Sequence, residues 1–320
     1  MTIHLGSGKN SKLPYFIRNG IRRTTPRSWL RSRLPHVLAE VEKRPDKEYI
    51  LSRVDYYNKL SLVTPLPPGS PVLGDFTLKG NKSAYFFDSF EYTRWFDPSL
   101  HWEYVFGDVI HVPGVPAIVK SRPIVGDNAH SVLLNLDKVR HFTFLHDTVP
   151  FRNKTDKAIF RGDIREKPHR VRFMEMYHGH PMVDTGVIGP LGEHPGAWAK
   201  EKISLWDHLR YKFILAIEGN DVASNLKWIM SSNSVAVMPQ PTYETWFMEG
   251  SLIPGCHYIE IEKDYSDLIE KMHYYITHPE EAEAISRNGH EYIRQFRDKR
   301  RERLISLLVL AKYFRMTGQV

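Results

Sequence analysis

Tyr211-Lys212-Phe213-Ile214-Leu215-Ala216-Ile217-Glu218-Gly219 is a nearly continuous apolar run that stops at a glycine. A half-buried antiparallel strand alternates apolar and polar residues, whereas a parallel strand covered on both faces reads as an unbroken run. A loop at 220–224 leads to a helix bearing Leu226, Ile229 and Met230, and a second strand at 234–238 closes at Pro239. A short helical stretch is expected around Trp246 and Phe247, then a third strand at 257–261. Asp264 and Ser266 offer N-caps for a helix with Leu268, Ile269, Met272 and Tyr275 inside. Pro279 opens another, with Ala282, Ile285, Tyr292 and Phe296 on its inner stripe. Strand and helix alternate three times, which predicts a Rossmann-like parallel sheet.

Toward the N-terminus, Lys157-Ala158-Ile159-Phe160-Arg161-Gly162 reads as a strand ending at glycine, and residues 111–119 as a turn feeding a buried strand. Residues 75–150 are rich in aromatic and β-branched side chains, so a second α/β domain is expected there on a weaker pattern. The breaker cluster Pro65-Leu66-Pro67-Pro68-Gly69-Ser70-Pro71 separates it from an N-terminal helical arm. The expected segments are therefore 1–70 (basic arm and helices), 71–190 (α/β domain), 191–297 (Rossmann-like domain) and 298–320 (terminal helix).

The 320 residues are 42% hydrophobic and 25% charged, which excludes disordered, collagen-like and coiled-coil classes. A 12% aromatic share fits large buried surfaces or a cleft lined by flat rings. A single cysteine, Cys256, excludes an intramolecular disulfide framework and a Cys-rich zinc site, and a small buried residue is its expected role. The net charge of +7 is uneven: residues 1–34 hold eight basic side chains and no acid, so the other 286 residues sum to about −1. A nucleic-acid binder would spread its basic groups along a groove, and none is expected here. No signal-peptide core or membrane-length apolar run occurs, so the cytoplasm is the expected compartment, with the inner face of the cytoplasmic membrane open to the basic arm.

Ligands of a doubly wound sheet sit beyond the carboxyl ends of its strands. Polar groups follow strand ends at Phe106-Gly107-Asp108, Phe160-Arg161-Gly162-Asp163, Glu218-Gly219-Asn220-Asp221 and Pro241-Thr242-Tyr243-Glu244. Arg161, Arg165, Arg170 and Arg172 follow one such strand and are suited either to diphosphate oxygens or to a solvated helix face. The loop from Gly219 to Ser224 before a helix offers free N–H groups to phosphate. Neither a dinucleotide fingerprint nor a P-loop occurs, and there is no Asp-x-Asp to chelate a metal. His178 and His180 flank Gly179 without supporting ligands, so a metal is not expected.

The run 211–219, then Ala223-Ser224-Asn225-Leu226-Lys227, the strand to Met238, Glu244-Thr245-Trp246-Phe247, Leu252-Ile253-Pro254, His257-Tyr258-Ile259 and Asp264 to Leu268 together resemble glycosyltransferase family 90. Phe160-Arg161-Gly162 falls in the same order, and the likeness spans roughly residues 105–297. It implies two Rossmann-like domains facing across a cleft (GT-B type), a UDP-sugar donor held mainly by the C-terminal one, no metal or other cofactor, and inversion at the anomeric carbon. The family includes protein O-glucosyltransferases, capsule xylosyltransferases and lipopolysaccharide-modifying proteins; the bacterial branch implies a lipopolysaccharide or capsule acceptor. Asp108, followed by the strand 115–119 and Lys120-Ser121-Arg122, matches the family's catalytic aspartate, which puts those three residues on the acceptor side. The donor residues carried over are Arg161, Gly162, Arg170, Glu218, Gly219, Asn220, Ser224, Asn225, Lys227 and Glu244, with Arg172 an alternative to Arg170. Asn225 departs from the family, several of whose members carry arginine there; Lys227 is either a substitute or a surface lysine.

An inverting transfer needs one carboxylate to take the acceptor proton, and positive charge with N–H donors for the departing diphosphate. Asp108 can supply the first, or it can be a turn aspartate that caps its own backbone. The rival classes are a polyanion-binding protein and a sugar kinase, the latter opposed by the missing triphosphate loop and magnesium carboxylates. For the arm, Trp29, Leu30 and Leu34 interleave with Arg27, Arg31 and Arg33. It either approaches anionic lipid or a phosphorylated glycan, or packs on the second domain with its arginines in water.

Overall fold

The computed structural model describes residues 6–320; residues 1–5 of the expected arm lie outside the described residues. Four helices come first: α1 (Lys12–Thr24), α2 (Arg27–Ala39), α3 (Lys47–Tyr57) and α4 (Ser83–Thr93). Short strands β1 (Tyr104–Val105), β2 (Ala117–Val119), β3 (Ser121–Pro123) and β4 (Ser131–Leu133) precede the turn α5 (Lys138–His141). Then come β5 (Thr155–Gly162), α6 (Pro168–Tyr177), β6 (Val183–Val187), α7 (Leu205–His208), β7 (Tyr211–Leu215), α8 (Leu226–Ile229) and β8 (Val235–Met238). The chain closes with β9 (Tyr243–Thr245), β10 (Ile259–Glu260), α9 (Leu268–Thr277), α10 (Pro279–Arg294) and α11 (Lys299–Met316).

Two compact units are formed. The first takes the described residues up to Asn10, Arg140–Pro241 and Gly250–Gln295. Its sheet has the order β10-β8-β7-β5-β6, every pair parallel. Phe213, Ile214, Leu215, Val235, Ala236 and Val237 are all buried, so these strands are covered on both faces, as their apolar runs predict. Phe173 and Tyr177 of α6, Leu268 and Met272 of α9, and Ala282 and Ile285 of α10 join Phe160, Phe213 and Val235 in one core cluster. Each fully buried side chain of that size contributes about 1.5–3 kcal/mol. Lys212, the one charged residue within β7, stays in the sheet by pairing with Asp156 of β5. β5 and β6, which lie in the 71–190 segment, belong to this unit because β5 pairs with both β6 and β7.

The second unit takes Ser11–Val139, Thr242–Glu249 and Phe296–Val320. It holds a parallel sheet of order β1-β2-β4 and an antiparallel pair, β3 with β9. The expected α/β class with parallel sheets is therefore what the chain adopts. Arg53 of α3 is buried and bonded to Glu302 of α11 at 2.5 Å. Trp246 stacks on Tyr57 with ring centroids 3.8 Å apart.

Several local expectations change. Trp246 and Phe247 are not helical: Tyr243-Glu244-Thr245 pairs with β3 as a strand, and the chain turns at Met248 with φ 57°. The third strand shortens to Ile259–Glu260. Asp264 does not cap α9; its Oδ1 accepts from Ser266 N and Oγ at 3.1 and 2.7 Å, closing a turn before the helix. Phe296 lies past α10 and belongs to the second unit. Cys256 is only partly buried. Among the described residues, no helix is long and apolar enough to cross a membrane.

Candidate active site

Across the five-stranded sheet, β6 follows β5 on one side, whereas β7, β8 and β10 continue on the other. The connections out of β5 and β7 thus diverge, opening a crevice at their carboxyl ends where a doubly wound sheet holds its ligand. Gly162 ends β5, while Ile217, Glu218 and Gly219 follow β7. Pro168 starts α6 with its fixed φ, so Arg170 in the first turn can reach back over both strand ends.

Arg170 donates from Nη1 to Asp163 O at 2.9 Å, from Nε to Glu218 O at 2.8 Å and from Nη2 to Ile217 O at 2.8 Å. His169 adds Nε2–H to Glu218 O at 2.9 Å, which fixes its tautomer. Among the described residues no carboxylate forms an ion pair with Arg170, and the Asp163 carboxylate faces Arg165 instead. Burial pulls the guanidinium down to about 10, still charged at neutral pH. Among the described residues the guanidinium's hydrogen bonds thus go only to backbone carbonyls, and the Asp163 carboxylate acts on it without a direct ion pair, a setting that favours an anion.

Gly162 is required by this packing. A Cβ there would lie 2.7 Å from Phe160 Cζ and 3.1 Å from Arg170 Nη1, and one at Gly219 would lie 3.4 Å from Arg170 Nη2. Gly162→Ala is expected to destabilise the fold by about 1–3 kcal/mol, the usual range for overpacking. It should also displace Arg170, whose Nη1 lies 3.1 Å from such a Cβ, and so weaken binding of an anion such as pyrophosphate. Melting temperature and a pyrophosphate titration check the two effects separately, and unaltered pyrophosphate affinity would detach Gly162 from Arg170.

The other arginines turn elsewhere. Arg161 Nη2 pairs with Asp184 at 2.8 Å along the sheet, and Tyr211 donates to the same carboxylate. Arg172 is exposed and lies 3.8 Å from Asp264. Of Arg170 and Arg172, only Arg170 lies against the strand ends. Asn220 and Ser224 are exposed on the loop after β7. Asn225 Nδ2 donates to Leu215 O at 2.9 Å, tying the loop to the strand end. The helix after this loop is the single turn α8, whose macrodipole is correspondingly small. Lys227 on it is completely buried, which excludes the surface-lysine alternative.

In the second unit Asp108 lies three residues past β1, at the carboxyl edge of the parallel sheet, after Gly107 at φ 128°. Lys120, directly after β2, pairs with its Oδ1, and the Asp108 side chain remains 24% exposed. Ser121 fixes the loop from the other side: its Oγ donates to Val109 O at 3.0 Å and accepts from Val109 N at 3.1 Å. Arg122 and Glu244 come together instead in a buried ion pair, Nε to Oε1 at 2.8 Å. Tyr56 donates to the second oxygen of Glu244, and Arg122 also donates to Tyr56 O, Tyr57 O and Ser131 O. Glu244, carried over as a donor contact, therefore serves β9 and β3. His169 and the Asp163 carbonyl were missed from sequence, although Pro168-His169-Arg170 at a helix start carried the signal. Among the described residues no group of three or more His, Cys, Asp or Glu is placed to hold a metal ion.

Residues 134–302 match the sequence profile of the family described as glycosyl transferase family 90. O-glucosyltransferase LpsA of Dichelobacter nodosus is 40% identical over 309 residues, covering 95% of each chain. The chain belongs to glycosyltransferase family 90. Two further relatives match over shorter stretches. Protein O-glucosyltransferase 3 of Homo sapiens is 30% identical over 167 residues, 50% of this chain but 32% of the human one. Protein O-glucosyltransferase 1 of Rattus norvegicus is 24% identical over 150 residues, 45% of this chain and 38% of the rat one. As a family 90 member the chain is a glycosyltransferase, which removes the kinase and polyanion-binding alternatives. The matched segment contains Arg170 and the whole crevice between β5 and β7.

Proposed function

We propose that this family 90 enzyme transfers a sugar from a UDP-sugar to a hydroxyl of a cell-surface glycan, with inversion and without a metal. Arg170 carries the reading: a partly buried cation, unpaired with any carboxylate among the described residues, at the switch point of a parallel sheet. It is suited to a diphosphate, and its charge supplies what a metal would otherwise give a departing UDP. The donor half of the chemistry is assigned to the first unit, and the proton-accepting half to Asp108 of the second. The GT-B type arrangement belongs to this proposal.

The acceptor oxygen attacks the anomeric carbon while its proton passes to the Asp108 carboxylate. The bond from that carbon to the diphosphate breaks, and UDP leaves with the electron pair. Attack opposite the leaving group inverts the configuration. Glucose is the proposed sugar and lipopolysaccharide the proposed acceptor, supported by the name of the Dichelobacter nodosus relative.

A panel of UDP-sugars, each with and without EDTA, tests this by thermal shift and by donor hydrolysis. UDP-glucose and UDP should stabilise the protein equally well with chelator present, and ATP should not. A strict metal requirement, or stabilisation by ATP alone, overturns the proposal.

A further inference from the structure

An amphipathic helix on a protein surface normally turns its apolar face inward. α1 is reversed. The side packed on α4 carries Tyr15, Asn19 and Arg22: Tyr15 donates to Asp88 Oδ1 at 3.0 Å, Asn19 is 1% exposed, and Arg22 pairs with Glu91. At 3.6 residues per turn these three lie within about 60° of one another. Diametrically opposite, within about 100°, lie Leu13, Ile17, Gly20, Ile21 and Thr24. Leu13, Ile17 and Ile21 are 69%, 55% and 64% exposed, and Phe16 at the edge of the strip is 39% exposed, one side of its ring set edge-on against Phe87 of α4.

Charge completes the pattern. Lys12 and Arg23 border the apolar strip on one flank and Arg18 on the other, all exposed. No acidic residue occurs in residues 1–34. Trp29 at the start of α2 is 52% exposed, with the Arg33 guanidinium 4.8 Å from its ring centroid. Leu30, by contrast, is buried, so the residues expected to meet a surface are replaced by those of α1.

We propose that α1 lies in the headgroup region of an anionic phospholipid bilayer, with Leu13, Phe16, Ile17 and Ile21 among the upper acyl carbons and Lys12, Arg18 and Arg23 against the phosphates. An apolar strip flanked by basic residues on a helix of this length is the chemistry that binds in the plane of such an interface. A second protein copy would bring identical basic flanks together, which opposes self-association through this face. The inference stands on α1 alone, independent of which sugar or acceptor the enzyme uses.

The test is flotation of the full chain with vesicles of phosphatidylglycerol and phosphatidylcholine in equal parts, beside vesicles of phosphatidylcholine alone. The protein should float with the anionic vesicles, less so as salt rises, and hardly with neutral ones. Ile17→Glu combined with Ile21→Glu should lower the partition coefficient at least about tenfold, and Arg18→Glu with Arg23→Glu should do the same. These side chains are solvent-facing, so circular dichroism and melting temperature should stay unchanged. Absence of wild-type flotation overturns the inference, as does equal flotation of the Ile17→Glu/Ile21→Glu protein. A dimer that this pair dissociates, seen by light scattering without vesicle binding, would assign the face to a second copy instead.

Discussion

Asp108→Asn is expected to lower sugar transfer by about 10²–10⁴-fold while UDP affinity stays within about twofold, the range for removal of a general base. The substitution keeps the shape of the side chain and an oxygen to accept from Lys120, so the loop after β1 should survive. Ser121, holding Val109 by two hydrogen bonds, anchors that loop independently of residue 108. Because Lys120 is buried and loses its counter-charge but keeps an oxygen to donate to, the melting temperature should fall by less than for removal of a buried partner outright, leaving the protein folded at assay temperature. Steady-state transfer with a UDP titration on the same preparation makes the measurement. Near-normal turnover would reduce Asp108 to a turn residue paired with a lysine, and the base would have to be sought elsewhere.

Glu244→Ala should have the largest effect on stability. It leaves the Arg122 guanidinium, 0% exposed, without its counter-charge. Breaking a buried pair in this way costs about 3–5 kcal/mol, because the remaining charge keeps only backbone carbonyls, with neither water nor a counter-charge. At about 2–4 °C per kcal/mol for chains approaching this size, the melting temperature should fall by roughly 6–20 °C. Glu244→Gln keeps an acceptor for Arg122 and for the Tyr56 hydroxyl and should cost distinctly less. Thermal unfolding followed by circular dichroism compares the two. An unchanged melting temperature together with lost UDP affinity would return Glu244 to the donor site.

Much of the first unit was legible in the sequence. Phe213 to Leu215 and Val235 to Met238 read as central parallel strands, and they are strands buried on both faces. Gly162, Arg170, Glu218 and Gly219 were found as residues following strand ends, and the structure gathers them in one crevice. The second unit was harder, because β1 to β4 are two or three residues long and carry no period. The Arg122 partner of Glu244 was hidden for a related reason: Glu244 has the polarity of a ligand contact, and only the pairing of β9 with β3 brings Arg122 to it. The reading of the arm rested on Trp29, Leu30 and Leu34 and passed over Leu13, Ile17 and Ile21, because which face of α1 turns outward is set by α4, about 70 residues later.

The second unit is assembled from three separated stretches of chain, the last being 296–320. During synthesis, Arg53 leaves the ribosome about 250 residues before Glu302, its ion-pair partner. Until then α3 must hold a solvated cation and an uncovered flank, while the parallel strands of the first unit have already been made. Closing so distant a contact is slow, and an exposed flank invites association during the wait. Chaperone dependence during translation should consequently concentrate on this unit and end when α11 docks.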